Sequence, residues 1–418
     1  MRRAVVVDPY SSGALIAPEL RARRVAPIAV TSTPAPPEVY AATYRPGDFD
    51  DVVAGHGRVD DVAAAVARLE PLCVVPGTEC GVELADALAA RVTPALANDP
   101  ELAAARRHKG LMGRAVARAG LPHARETCTG DEASVERWLV AEGLEDAALV
   151  LKPPNSAGTD AVVKVEPRAP WRPAFRALLG RTNKLGHVNR EVVVQEFLAG
   201  DEYVVDSFSH HGRHGVTNVC KYRKVANAQH VAVYDSMEFL SPDDPVAAAV
   251  APYAERVLDA LGIHFGPAHT EVMWTATGPR LVETGARMHG GGHPRYCRVA
   301  TGDSQLDRMM RFYVDRAPVA DSYRLRRKVV VAFLIARASG VVRNVHLLDA
   351  AAGLPSHFES HVGAADGDHV PATRDLFTAL GFIVLAHDDP ERVWADYAAV
   401  KEMESALVFD EPADRRAS

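Results

Sequence analysis

The sequence predicts an α/β and α+β multidomain protein, and three observations lead there. Its 418 residues suffice for two or three domains with substantial cores. Apolar strands and amphipathic helices alternate through residues 1–98, the mark of a parallel sheet with crossover helices. After Asn98-Asp99-Pro100 that alternation gives way to runs of strands with few helices, an α+β pattern.

The elements follow in order. AVVVD reads as a buried strand, SSGALIAPELRARR as a helix, APIAVTS as a second strand, VDDVAAAVARLE as a helix, PLCVVPG as a third strand and ELADALAARV as a helix. Ser11-Ser12-Gly13 could seat an anion at a helix start, but it lacks the GxGxxG dinucleotide pattern and reads better as a tight turn. Asp99-Pro100 is a helix-start signal, and PELAAARRHKGLMGRAVARAGLPHA carries one or two helices. Strands then dominate: DAALVLKPP, AVVKVE, EVVVQEFL, EYVVDSFSH and GVTNVCKY, with the helix VAAAVAPYAERVLDALG after them. The last section carries KVVVAFLIARASG, LPSHFESHV, LGFIVLAHD and the helix PERVWADYAAVKEMES; the tail EPADRRAS is expected to be disordered. The boundaries expected are 1–98, 99–325 and 326–418.

Composition narrows the function. Hydrophobic residues are 48% and charged residues 24%, as in an ordinary globular protein. A net charge of −7 and a pI near 6.2 argue against a dedicated nucleic-acid binder. The five cysteines are scattered and form no CxxC, so neither a disulfide framework nor a zinc site is suggested, and a reducing cytoplasm fits. MRRAVVVDPY holds too short an apolar run for a signal peptide, and no stretch nears the roughly 18 apolar residues of a membrane span. A cytoplasmic protein without membrane or nucleic-acid partners is expected, and a homodimer is the default assembly.

The most informative stretch is AHTEVMWTATGPRLVETGAR. His269 to Trp274 and Arg280 to Thr284 read as two strands about a turn at Thr277, Gly278 and Pro279. Alternation puts His269, Glu271 and Met273 on one face, and Leu281, Glu283 and Gly285 on one face of the partner. Val272, Trp274 and Val282 would point into an apolar layer. Pairing about Thr277 sets Glu271 opposite Glu283. Two carboxylates ~4 Å apart repel by roughly 4 kcal/mol at an effective dielectric of about 20, so such a pair calls for a proton or a cation. Oxygen ligands suit Mg²⁺, and Arg287 adds a fixed cation for phosphate or carboxylate. The bland alternative is a solvent-facing hairpin with surface glutamates.

Three weaker signals precede it. In ALVLKPPNSAGTDAVVKV an apolar strand delivers Lys152 to a loop, Pro153 to Asp160, whose small residues Asn155, Ser156, Gly158 and Thr159 could wrap polyphosphate; the alternative is an ordinary turn. In EVVVQEFLAGDEYVVD a strand ends at Glu196-Phe197-Leu198 and restarts at Glu202, where backbone could read a purine edge and a carboxylate a ribose, although taken singly it reads better as an edge glutamate near a turn. Lys109 in RRHKGLM, taken singly, reads as a surface charge. Three histidines in SHHGRHG (His210, His211, His214) read as an exposed turn rather than a metal site. His293 and Arg295, with Tyr296, follow a glycine run and could touch substrate, and Tyr222 and Lys224 could edge the site or be a charged strand end.

Taken in order, these signals make the chain resemble the ATP-grasp superfamily: a lysine helix, a lysine with a flexible loop, an E-F-L…E-Y pair, H-x-E and E-x-x-x-R. The resemblance runs to about residue 310 and implies a central fold of two α+β lobes, with a nucleotide lid at about 125–200. It implies Lys109 and Lys152 as phosphate lysines, Ser156, Gly158 and Thr159 as the mobile loop, and Glu196 and Leu198 at adenine. It further implies Glu202 at ribose, Glu271 and Glu283 on Mg²⁺ (or Mn²⁺), and Arg287 at the transferring phosphoryl group. Many members read E-x-N-x-R, where this chain has Gly285 for the asparagine. The E-x-G-A-R version, with Gly290-Gly291-Gly292 behind it, is similar to the L-amino-acid ligase branch, whose closing domain the section after 326 resembles. That branch implies ATP and two small-molecule substrates, a carboxylate and an amine drawn from the amino acids, joined through an acyl phosphate with release of ADP. A non-catalytic ATP-binding regulator and an amide ligase acting on other carboxylates or amines are the alternatives.

Overall fold

The computed structural model describes residues 1–227 and 230–410. The tail expected to be disordered, 411–418, lies outside the described residues. The chain divides into two compact units, one of residues 1–219, 245–295 and 303–323, the other of 220–244, 296–302 and 324–418.

The first unit opens with a four-stranded parallel sheet: β1 (Arg2–Val7), β2 (Val25–Thr31), β3 (Asp51–Ala54) and β4 (Val74–Pro76), in the order β3-β2-β1-β4. Because side chains alternate, Val5 and Val7 face a cluster with Val62, Val66 and Leu88, while Ala4 and Val6 face one with Ile16, Leu20 and Tyr313. Strand β3 was not legible in the sequence: it is a short edge strand whose residues are mostly exposed, so no apolar period marks it.

A second, antiparallel sheet joins β5 (Glu126–Thr129), β6 (Leu149–Lys152), β7 (Val163–Val165) and β8 (Val192–Glu196) in the order β5-β8-β6-β7. One face buries Leu149, Leu151, Val192 and Val194 against Phe175 and Leu139. The helix Lys109–Arg118 runs beside it, capped by the His108 ring, whose Nδ1 accepts from Leu111 N–H at 3.3 Å.

The strands that carry the carboxylates come next: β9 (Asp201–His210), β10 (Arg213–Asn227), β11 (His230–Leu240), β12 (Gly266–Thr275) and β13 (Gly278–Gly285). In the first unit they run β13-β12-β9-β10, all antiparallel about β12. In the second unit β11 pairs with β14 (Lys328–Leu334). Strands β15 (Gly340–Arg343), β16 (His357–Val362), β17 (His369–Val370), β18 (Gly381–His387) and β19 (Val408–Asp410) complete two sheets, ordered β10-β11-β14-β18-β16 and β17-β15-β19. Their core holds Val330, Leu334, Ile383 and Leu385 against Val393 and Val400 of the helix Pro390–Ser405. Among the described residues no helix is long and apolar enough to cross a membrane.

Candidate functional site

The hairpin forms as the sequence predicts, and Glu271 does pair with Glu283. The route is different. The turn is tighter than expected, with Thr275 opposite Gly278, and that register alone would pair Glu271 with Val282. A β-bulge between Glu271 and Val272 leaves Val282 without a partner and restores the carboxylate pair. The same bulge corrects one expectation: Leu281 pairs with Val272 and is buried with it, so it does not share the face of Glu283. Trp274 and Val282, expected in the apolar layer, are only half-buried. The Val282 carbonyl, released from the ladder, accepts from Lys152 Nζ at 3.4 Å.

Cations converge on this pair. Lys109 Nζ lies 2.9 Å from Glu283 Oε2 and donates to the Ser156 carbonyl at 2.6 Å. Lys152 is buried; burial depresses its ammonium below the usual lysine range, and Glu126 opposes that. Burial would raise the Glu283 carboxyl, but Lys109, then Lys152 and Arg287, outweigh it and hold it at about 2. The positive charge packed around Glu283 therefore keeps it ionised at neutral pH despite its burial. A narrow cleft opens beside these groups, lined by Lys109, Met112, Glu126, Gln195, Leu281 and Val282.

The loop after Lys152 is tied to the same lysine. Lys109 N–H donates to the Pro154 carbonyl, Ser156 Oγ donates to Asp160 Oδ2 at 2.7 Å, and Arg107 and Asn183 reach the Asn155 carbonyl. Gly158 and Thr159 both take left-handed backbone, at φ 67 and 60. For a β-branched threonine that conformation is strained, as at loops that change shape in function.

Arg287 is held by a partner the sequence did not reveal. Its Nε donates to Glu79 Oε2 at 2.9 Å, and Glu79 also meets Arg107 at 3.2 Å. Burial works against the guanidinium charge, and Glu79, with Glu283 and Glu271, sustains it. The clue was positional: Glu79 follows the carboxyl end of β4, where open parallel sheets place their ligands.

Beneath Glu271 lies a buried polar cluster, also unread in the sequence. His269 Nδ1 sits 2.8 Å from Asp206 Oδ1 and its Nε2 3.3 Å from Glu271 Oε1. Burial would lower the His269 pKa, but Asp206 and Glu271 raise it to about 9, so the ring is an imidazolium. His289 and His293 approach the other oxygen of Asp206. An acid inside the apolar strand YVVDSF was the available signal.

The remaining expected site residues divide. The Glu196 carboxylate is clasped by Arg125, through its N–H at 2.9 Å and its Nε at 2.8 Å; Leu198 is half-buried after β8, and Glu202 is buried opposite Met273. His293 is buried in the Asp206 cluster, whereas Arg295 is exposed. Of the three histidines of SHHGRHG, His211 is exposed in the turn as expected, although it and His210 pack on Phe312, while His214 departs from that reading: its ring is buried and bonds Asp259 at 3.0 Å. In the second unit Tyr222 packs edge-on against Tyr234, over whose ring Lys224 lies. The Ser11-Ser12 turn holds the glycine run: Ser11 and Ser12 hydroxyls accept from Gly291 and Gly292 N–H at 3.1 and 3.0 Å.

Comparison with known proteins identifies two domains. Residues 145–293 match the ATP-grasp domain and residues 332–402 match the L-amino acid ligase C-terminal domain 2. Dapdiamide A synthase of Enterobacter agglomerans is 28% identical over 414 residues, covering 96% of this chain and 95% of the relative. The crystal structure of L-amino acid ligase from Bacillus licheniformis superposes with a TM-score of 0.74 at 17% identity, covering 99% of each chain. Carboxyaminoimidazole ribonucleotide synthase from Aspergillus clavatus, complexed with ATP, superposes with a TM-score of 0.71 at 15% identity over 97% of this chain and 98% of that one. These matches give the chain an ATP-grasp domain followed by the C-terminal domain 2 of the L-amino acid ligases, the arrangement of an ADP-forming ligase.

Proposed function

We propose that the chain joins a carboxylate to an amine, both from amino acids, using ATP and passing through an acyl phosphate with release of ADP and phosphate. The observation that carries this reading is the cross-strand pair Glu271 and Glu283 with Lys109 2.9 Å from one of them. The donor set fits magnesium: two cross-strand carboxylates supply hard oxygen ligands, and Lys109 lies beside one of them. Glu271 and Glu283 would hold Mg²⁺, or Mn²⁺, which supplies charge neutralisation to the phosphates when bound.

The chain's own residues do the rest. Lys109 and Lys152 bind phosphate oxygens as point charges, and the loop of Ser156, Gly158 and Thr159 closes over them and excludes water from the acyl phosphate. With the Glu196 carboxylate clasped by Arg125, the backbone from Glu196 to Leu198 reads the adenine edge, and Glu202 takes the ribose. Arg287, steadied by Glu79, orients the transferring phosphoryl group. His293 and Arg295, in the first turn of the helix His293–Thr301, are candidate substrate contacts. Similarity along nearly the whole length to a synthase and to an L-amino acid ligase supports the reaction class.

Phosphate and ADP release, screened over pairs of amino acids, tests this. Release that depends on a particular pair, and is abolished in Glu283→Ala with the fold intact, is the expected result. Full activity of that variant would remove the metal assignment, and indifference to every amino acid would favour a non-amino-acid substrate or a nucleotide-binding regulator.

A further inference from the structure

We infer that Glu126 and Gln195 select the base of the nucleotide, favouring a 6-aminopurine over a 6-oxopurine, with Glu126 as the positioning residue that orients the Gln195 amide. The inference rests on the reading of the cleft beside the hairpin as the nucleotide site. Glu126 on β5 and Gln195 on β8 stand directly opposite each other, and both line that cleft. They share the sheet face of Lys152, which pairs with Val193, two residues before Gln195. The other face is filled by the core residues Leu149, Leu151, Val192 and Val194. Across the cleft, Met112, Leu281 and Val282 supply apolar walls, so the slot suits a flat ring with a polar edge at Gln195.

The polarity of that edge is set by one hydrogen bond. Gln195 Nε2 donates to Glu126 Oε2 at 2.9 Å. An ionised carboxylate only accepts, so the amide must turn its nitrogen to Glu126 and present its oxygen at the outer end. Burial pushes the Glu126 carboxyl up, and Lys152, followed by the Gln195 bond, opposes that. The second carboxylate oxygen, Oε1, is buried and has no hydrogen-bond partner. The pair therefore offers acceptors and no donor. A buried acceptor without a donor is costly, and an exocyclic amino group relieves it. A 6-oxopurine would set a carbonyl oxygen against those same oxygens.

The neighbours hold this arrangement. Gly113, on the helix Lys109–Arg118, leaves room for the carboxylate: a Cβ there would stand 1.9 Å from Glu126 Oε1 and 2.7 Å from its Cδ. Lys109, which also lines the cleft, is committed to Glu283 Oε2 and to the Ser156 carbonyl, so its ammonium is not directed at a purine oxygen. Strand alternation turns the next side chain, Glu196, to the other face, where Arg125 clasps it. Gln195 is thus the side chain at this strand end that meets the base.

The test is titration calorimetry of ATP and of ITP with the full chain in Mg²⁺, without amino acids. The parent should bind ATP about tenfold or more tightly than ITP. In Glu126→Gln the new amide can donate to Gln195 Oε1 and let the Gln195 amide turn, so the preference should fall to within about threefold. Glu126→Leu, which removes the anchor, should lose the preference as well; if it does not fold, the near-isosteric Glu126→Gln decides. A purely structural role would weaken both nucleotides in parallel and keep their ratio. An unchanged ratio in the folded variants, or a parent that binds both alike, overturns the inference while leaving the nucleotide site in place. Binding of neither nucleotide overturns the inference together with the reading on which it rests.

Discussion

A Cβ placed on Gly285 would stand 2.8 Å from Glu79 Oε2 and 3.0 Å from the Arg287 guanidinium carbon. Position 285 is where E-x-N-x-R relatives carry asparagine, and in this chain the Glu79–Arg287 ion pair fills that volume. A side chain at 285 would therefore meet the Glu79–Arg287 pair.

The first prediction tests that coupling. Gly285→Ala should cost about 1–3 kcal/mol in chemical or thermal unfolding, the range for overpacking a close-packed site. Gly285→Asn should cost more. Glu79→Ala combined with Gly285→Ala should recover much of the steric loss, because the close approaches are to the ion pair and not to backbone. Additive losses in the double variant would show that the two positions do not share space.

Lys152 is buried, with its Nζ on the bulge carbonyl and the acids Glu126, Glu283 and Glu271 about it. Lys152→Met keeps the stem and removes the charge. ATP affinity measured by titration calorimetry should fall by roughly tenfold to a hundredfold, about 1.4 to 2.8 kcal/mol, and the midpoint of thermal unfolding should change little. Unchanged ATP binding would take Lys152 out of the phosphate site.

How much of this could be read from the sequence follows from the range of the interactions. The facing of Glu271 and Glu283 was legible because strand alternation and a turn are local. The pairing itself came out right for a reason the sequence does not display, since a tighter turn and a bulge at Val282 offset one another. Glu79 was invisible because it meets Arg287 across 208 residues of chain, and its loop carries no pattern. Asp206 left a trace, an acid in an apolar strand, but the three histidines that justify it come from separate elements. The order of the lysine, loop and acid motifs carried the fold, while the ion pairs among them needed coordinates.

Asp8 gives a prediction about pH. It is buried at the end of β1, accepts from Ser32 N–H and hydroxyl, and has left-handed backbone at φ 50. Burial raises its pKa above the ordinary 3.8, and the Ser32 bonds only partly offset that. The folded state thus holds the proton more tightly than the unfolded chain. The contribution of Asp8 to stability is greatest below pH 3.8, falls as pH rises through its folded pKa, and is level above it. Asp8→Asn removes the buried charge and places a residue that tolerates left-handed backbone well. It should be more stable than the parent by about 1 kcal/mol at neutral pH, with the difference vanishing in acid. A gap that is constant with pH in urea unfolding would assign the effect to backbone alone.

The bulge yields the last prediction. Deleting Val282 would leave a regular two-residue hairpin in which the acid now at 283 still falls opposite Glu271, because the turn register then needs no correction. Leu281 would still face Val272. The hairpin and both carboxylates should persist, seen as little change in circular dichroism and in the affinity for Mn²⁺. What disappears is the out-of-ladder carbonyl that Lys152 uses. Without that acceptor the buried ammonium loses a charge-assisted hydrogen bond worth about 1.5–3 kcal/mol, and its position over the cleft is no longer fixed. ATP affinity should therefore drop about tenfold or more while Mn²⁺ affinity holds. Parallel loss of both would mean that the bulge serves the register of the acids, and equal retention of both would mean that Lys152 does not depend on Val282.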